Sequence, residues 1–230
     1  MSKLRPYLAD IASAIREKKG SSEPINAKDF SNEIRNLPSG SESDVFVDNT
    51  GEGARGIKKA VIKDGVESLI EKAFNEGLLE EITLPDSLKK IGRAAFYGTK
   101  LKRLVIPPLV VTCEIELAQN CGSLTEVQLP EGLREISGYA FKNCTSLPKI
   151  VIPSTIILLR YGQEFYGCTN LRTIVIKAIS PPTLNTSTFG SGATDRLFYV
   201  PDESVDAYKS ATNWSAYADA IRPLSELPNE

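Results

Sequence analysis

The chain predicts an α/β repeat: a solenoid of short parallel strands with a helical hairpin ahead of it and a helical cap behind it. Three observations carry this. A motif recurs at near-constant spacing through the middle of the chain, each copy runs from alternating apolar residues into a proline, and apolar residues at helical spacing are confined to the two ends.

The copies begin at Ile57, Leu79, Leu101, Leu124 and Leu147, with a truncated sixth at Leu171, at intervals of 22, 22, 23, 23 and 24 residues. LEEITLPDSLKKIGRAAF and LTEVQLPEGLREISGYAF share LxxhxLPxxLxxIxxxAF, where h is aliphatic. Within a copy, Leu79, Ile82 and Leu84 or Leu124, Val127 and Leu129 show one face of a strand to a core. Pro85, Pro107, Pro130 and Pro153 follow, and because proline has no amide for a parallel ladder they mark turns. A second apolar pair (Val66/Leu69, Leu88/Ile91, Leu133/Ile136, Ile156/Leu159) and an Ala-Phe or its remnant (Ala73-Phe74, Ala95-Phe96, Ala140-Phe141, Phe165) supply the opposite wall.

No single copy is self-sufficient. About six buried apolar side chains at ~1.5–3 kcal/mol each do not offset ~1–2 kcal/mol of backbone entropy at each of some 23 residues, so neighbours must stack. Copy three is irregular: it carries Leu117-Ala118 in place of Ala-Phe and Cys113 in place of Ile or Leu. A local irregularity is expected there.

This pattern is that of a leucine-rich-repeat solenoid, and over residues 57–178 it resembles the BspA-like leucine-rich repeats, whose units read LxxIxIPxxLxxIxxxAFxxCxx. The resemblance implies a bacterial or protist surface or adhesion module that is not an enzyme. It extends to LFYVPDESVDAYKSATNWSAYADAIRPLSE (197–226), similar to the family's terminal segment. There Asp202 can cap a helix bearing Val205 and Tyr208, while Trp214, Tyr217 and Ile221 can close the core, so residues 179–230 are expected to form the C-terminal cap.

At the other end, Leu4, Leu8, Ile11 and Ile15 share one helical face, and a second helix from about Lys28 carries Phe30, Ile34 and Leu37 before Pro38. Residues 1–38 therefore predict a helical hairpin. They read either as a cap or as an anchor, since they resemble short modules of phage-tail and prophage-associated proteins; on the second reading the repeats would be a structural or receptor-binding arm of a particle. The Gly/Ser-rich stretch 39–56 reads as a linker around one short strand at Val45–Val47.

Composition narrows the function. The 230 residues contain no histidine, which excludes Ser-His-Asp and Cys-His nucleophile systems and HExxH zinc sites. Lys plus Arg number 27 and Asp plus Glu 29, so no cationic excess exists to neutralise nucleic-acid phosphates. No run of about eighteen apolar residues predicts membrane insertion. Lys3 and Arg5 resemble a signal-peptide start, but Pro6, Tyr7 and Asp10 interrupt the apolar segment such a signal needs. No catalytic residue, metal or cofactor is expected.

Three rows of equivalent positions merit attention. Cys121, Cys144 and Cys168 occupy one repeat position, with no CxxC pair and no His, and are expected to be buried free thiols. Lys59, Glu81, Arg103, Glu126, Lys149 and Thr173 alternate in sign along the stack and should neutralise one another. Two residues on, Val61, Thr83, Val105, Gln128, Val151 and Val175 should face outward. A largely β-branched stripe suits a partner-binding face, although strand propensity also accounts for it. A protein or surface glycan is the expected partner.

Overall fold

The structure, a computed structural model, describes residues 56–62 and 64–228. The helical hairpin expected over 1–38 and the linker of 39–56, Gly56 excepted, lie outside the described residues.

Two rows of short parallel strands line the stack, each divided into separately bonded groups. The first comprises β1 (Lys59–Val61), β3 (Glu81–Thr83), β5 (Arg103–Val105), β7 (Glu126–Gln128), β9 (Lys149–Ile152), β11 (Thr173–Ile176), β12 (Leu197–Val200) and β13 (Ile221–Pro223). Its register sets like positions opposite one another: Ala60 pairs with Ile82, Leu104 with Val127, Ile150 with Ile174. In β1, β5 and β7 the middle residue is buried and its neighbours are exposed, as a period of two demands. The second ladder is made of β2 (Ser68–Leu69), β4 (Lys90–Ile91), β6 (Thr112–Cys113), β8 (Glu135–Ile136) and β10 (Leu158–Leu159). Between the ladders the prolines make the expected turns: Pro85, Pro107, Pro130 and Pro153 each lend a carbonyl to the amide three residues on, at 3.1 to 3.3 Å.

The third side of each repeat carries the Ala-Phe position and its neighbours. The chain returns here without a helix, and the one α-helix among the described residues is α1 (Val205–Ser210). The residue two before each Phe position is left-handed in five repeats (Lys72, Ala94, Glu116, Tyr139, Gln163; φ 52–63°), and so is the residue two after it in six (Glu76, Gly98, Asn120, Asn143, Gly167, Ser191; φ 47–73°). A left-handed residue every fourth position interrupts any α-helix. The reward for this strain lies between repeats. The Phe74, Phe96, Ala118, Phe141 and Phe165 amides donate to Ala95, Leu117, Ala140, Glu164 and Thr188 carbonyls of the next repeat at 2.7–2.9 Å, and the left-handed residues add parallel bonds such as Gly98 to Gln119. Asn143 donates its side-chain amide to Asn120, and Asn120 to the Tyr97 hydroxyl, at 2.9 and 2.8 Å.

Inside, Phe74 stacks on Phe96 at 5.9 Å, and Phe141, Phe165 and Phe189 stack at 5.5 Å per step. Ala118 interrupts the row, and Leu117, which replaces the alanine beside it, is fully buried with Cys113. The expected irregularity of copy three is therefore real. Both ladders break in front of it, between β3 and β5 and between β4 and β6, whereas only the first ladder breaks again, between β7 and β9.

The Phe row reaches Phe189, past the expected repeat boundary at 178. Beyond it, β12 and β13 add two further rungs to the first ladder. Trp214, Tyr208 and Ile221 are buried, with the Trp214 ring against Phe198 at 5.9 Å and its indole N–H donating to Pro182 O at 2.7 Å. Asp202 does not cap α1; its Oδ1 accepts the Ser225 amide at 3.0 Å, tying the last turn back to the start of this segment.

Candidate interaction surface

On the first ladder, the alternating charges meet as expected. Lys59 and Glu81 pair at 2.8 Å and Arg103 and Glu126 at 3.0 Å, and the Arg103 hydrogen bond holds the Glu126 carboxyl below its ordinary value. These two pairs close their charge internally and offer little net field to a ligand.

The neighbouring row is not uniform. Val61 and Val105 are 38% exposed, Thr83 and Gln128 are exposed, Val151 is half-buried and Val175 is 4% exposed. Val175 was expected to face outward with the others, but β11 buries Ile174, Val175 and Ile176 in succession, and β12 beside it buries Phe198, Tyr199 and Val200. At this end the ladder is covered on both faces, and residues 224–226 pack against β12. Gln128 is already tied to Glu126 through a 2.7 Å hydrogen bond. The stripe is thus confined to β1 through β9.

The second ladder presents a row that the sequence reading passed over. Two residues before each inward position stand Glu67, Lys89, Val111, Arg134 and Ile157, all exposed. Glu67 and Lys89 bond at 2.8 Å. Val111 and Ile157 are 50% and 58% exposed, and Arg134 lies between them. The signal was present in the sequence, as apolar residues where other copies carry Lys or Glu.

The interior holds groups that are chemically quiet. Cys121, Cys144 and Cys168 donate their thiols back one repeat to the carbonyls of Phe96, Ala118 and Phe141 at 3.0–3.2 Å. They are free and buried, and burial pushes their pKa values up, that of Cys168 to about 12. Such thiols stay protonated and do not act as nucleophiles. Gly192 stands at the next position of this row, and the Arg196 guanidinium fills the space its side chain would take, donating to Phe189 O at 2.6 Å and Leu171 O at 3.2 Å.

Glu164 takes the alanine position of its repeat and is fully buried. Its Oε1 accepts the Gly162 amide at 2.7 Å, Oε2 has no hydrogen-bond partner, and burial raises its pKa. Sequence spacing could have flagged Glu164 as an acid in an apolar row. Among the described residues, no group of three or more Cys, Asp or Glu is placed to hold a metal ion.

The model for the BspA type leucine rich repeat region matches six copies over residues 52–172. No curated protein matches the chain. Among solved structures, a leucine rich cell surface protein from Faecalibacterium prausnitzii A2-165 is 28% identical with a TM-score of 0.50. The match covers 53% of this chain and 32% of that one, so this chain spans about a third of that protein's length. A leucine-rich repeat protein from Bacteroides ovatus ATCC 8483 is 18% identical over 72% of this chain and 65% of its own, with a TM-score of 0.27. With more than half its residues under the family model, the chain belongs to the BspA-type leucine-rich-repeat family.

Proposed function

We propose that the chain is a non-catalytic interaction protein that binds a macromolecular partner, a protein or a surface glycan, through the outward faces of its strand ladders. The observation that carries this reading is the run of exposed Val61, Thr83, Val105 and Gln128 on successive strands, beside charges that already satisfy one another. A rigid stacked surface loses little conformational entropy when a partner docks. Its kinship to a cell surface protein supports display outside the cell. The segment from 179 onward serves this role as a cap, shielding the last apolar rung with Trp214 and Tyr208.

The test is an array of host cell-surface proteins and glycans probed with the full chain. Saturable binding to a member of the array, lost in Val61→Glu/Val105→Glu with an unchanged melting temperature, supports the reading. An array without saturable binding defeats it.

A further inference from the structure

The outer row of the second ladder changes character along the stack. In the first two repeats its side chains are Glu67 and Lys89, bonded to each other. In the next three they are Val111, Arg134 and Ile157. The strands that carry them pair in register, Thr112 with Glu135 and Glu135 with Leu158, and the Arg134 amide donates to Val111 O and the Ile157 amide to Arg134 O at 2.8 and 3.0 Å. The three side chains therefore stand abreast, with the outer two about 10 Å apart at two strand spacings. Leu109, 50% exposed, lies two residues before Val111, and Tyr161, 65% exposed, follows β10.

Arg134 makes no side-chain hydrogen bond or ion pair among the described residues. The acids near it are committed elsewhere: Glu135 to Arg160 at 2.7 Å and to Ser137 at 2.9 Å, Glu131 to Ser154 at 2.9 Å and to Lys177 at 3.2 Å. An uncompensated guanidinium flanked by exposed aliphatic side chains has the composition of an interface centre, where arginine and tyrosine concentrate among apolar contacts. A planar fork of donors calls for a carboxylate, which it grips in bidentate fashion.

We propose that Val111, Arg134 and Ile157, flanked by Leu109 and Tyr161, form a docking site for a protein that presents a carboxylate between apolar side chains. The aliphatic members weigh against a glycan, because sugar hydroxyls set against valine and isoleucine would lose water without gaining hydrogen bonds. No amide side chain stands in this row to replace them. The proposal rests on the reading of the chain as a binding protein, and assigns the contact to a face other than the valine stripe.

The experiment measures fluorescence anisotropy of labelled synthetic peptides with leucine, valine and phenylalanine around a central Glu, Gln or Lys, titrated with the full chain. Glu-centred peptides should bind saturably, and Arg134→Glu should weaken them about tenfold or more while conferring binding on the Lys-centred set. Arg134→Gln should weaken the Glu set without that gain, Ile157→Ser should weaken it several-fold, and Val61→Glu/Val105→Glu should leave it unchanged. Thermal melts of each variant confirm folding. Equal binding of Glu and Gln peptides, indifference to Arg134→Glu, or no binding by any peptide overturns the assignment. So does an Arg134-dependent preference for sulfated or sialylated glycans. Loss in Val61→Glu/Val105→Glu alone would sink this site while leaving the general binding reading intact.

Discussion

Repeats one and two and the repeats that follow share one motif but are held together differently. In the first pair the strands bond in both ladders and Phe74 meets Phe96. Between repeats two and three both ladders are interrupted and the aromatic row stops at Ala118, yet Ala94, Phe96 and Gly98 still donate to Ile115, Leu117 and Gln119 at 3.0, 2.9 and 2.8 Å. From Phe141 onward the rings stack again. The comparison teaches that the three sides of a repeat are separable contributors to a stack, and that the left-handed side persists where the strands and the rings fail. In a one-dimensional assembly each junction has its own stability, so the second junction should be where the stack divides first.

The largest expected effect tests the aromatic part of this difference. Phe165→Ala removes a ring with neighbours on both sides and should cost about 3–5 kcal/mol, and Phe74→Ala, with one stacked ring neighbour, should cost less. Urea unfolding would measure both, and equal losses would remove aromatic stacking from the contrast.

Next comes the exchanged pair in copy three. Leu117→Ala alone should cost about 2–5 kcal/mol through the cavity it leaves, and Ala118→Phe alone about 1–3 kcal/mol through overpacking. The double variant restores Ala-Phe and should be well short of the sum. Strictly additive losses in this cycle would mean that the two side chains do not share one space.

A third expectation concerns Glu164. Its folded pKa lies above the ordinary 4.5, so the folded state holds the proton more tightly than the unfolded one. That contribution is complete below about pH 4.5 and is lost as pH rises through the folded pKa. Glu164→Gln keeps the acceptor for Gly162 and should gain stability relative to wild type as pH rises. A difference that does not change with pH between 4 and 8 would show that the burial of this acid is without consequence.

The smallest effect lies on the surface, where Glu126→Gln should cost at most about 1 kcal/mol and respond to salt, because Arg103 and Glu126 pair in the solvent. A salt-independent loss of several kcal/mol would show that the first ladder depends on its charges.

Much of this architecture was legible in the sequence because it is periodic. Leu, Ile, Pro and Phe recur at a fixed spacing, and a stack converts spacing directly into contact, so the ladders, the proline turns, the thiol row and the weakness of copy three could all be read without coordinates. What could not be read depends on conformation or on contacts outside the period. Lys72, Glu116 and Gln163 give no hint of a left-handed backbone, since nothing about lysine or glutamate favours it and inter-repeat hydrogen bonds impose it. That is why the sequence showed this segment as a wall of the core without showing its backbone. The burial of Val175 follows from a covered end that its own repeat does not announce. Asp202 has the chemistry of a helix cap, but a closer donor, the Ser225 amide, claimed it.

The amide bonds of the left-handed side all run one way, from an N–H in one repeat to a carbonyl in the next, in contrast to the strand ladders, where Ile62 donates forward to Thr83 and Glu80 backward to Lys58. Each repeat thus has an acceptor side and a donor side, as a subunit of a polar filament does. A whole copy inserted at any junction meets donors with acceptors and leaves the pattern unchanged. Two stacks brought together with like ends facing would set carbonyl against carbonyl or amide against amide along this side. The polarity therefore favours lengthening by tandem duplication over union through a twofold axis at the ends, and it makes repeat number the property most easily altered by recombination.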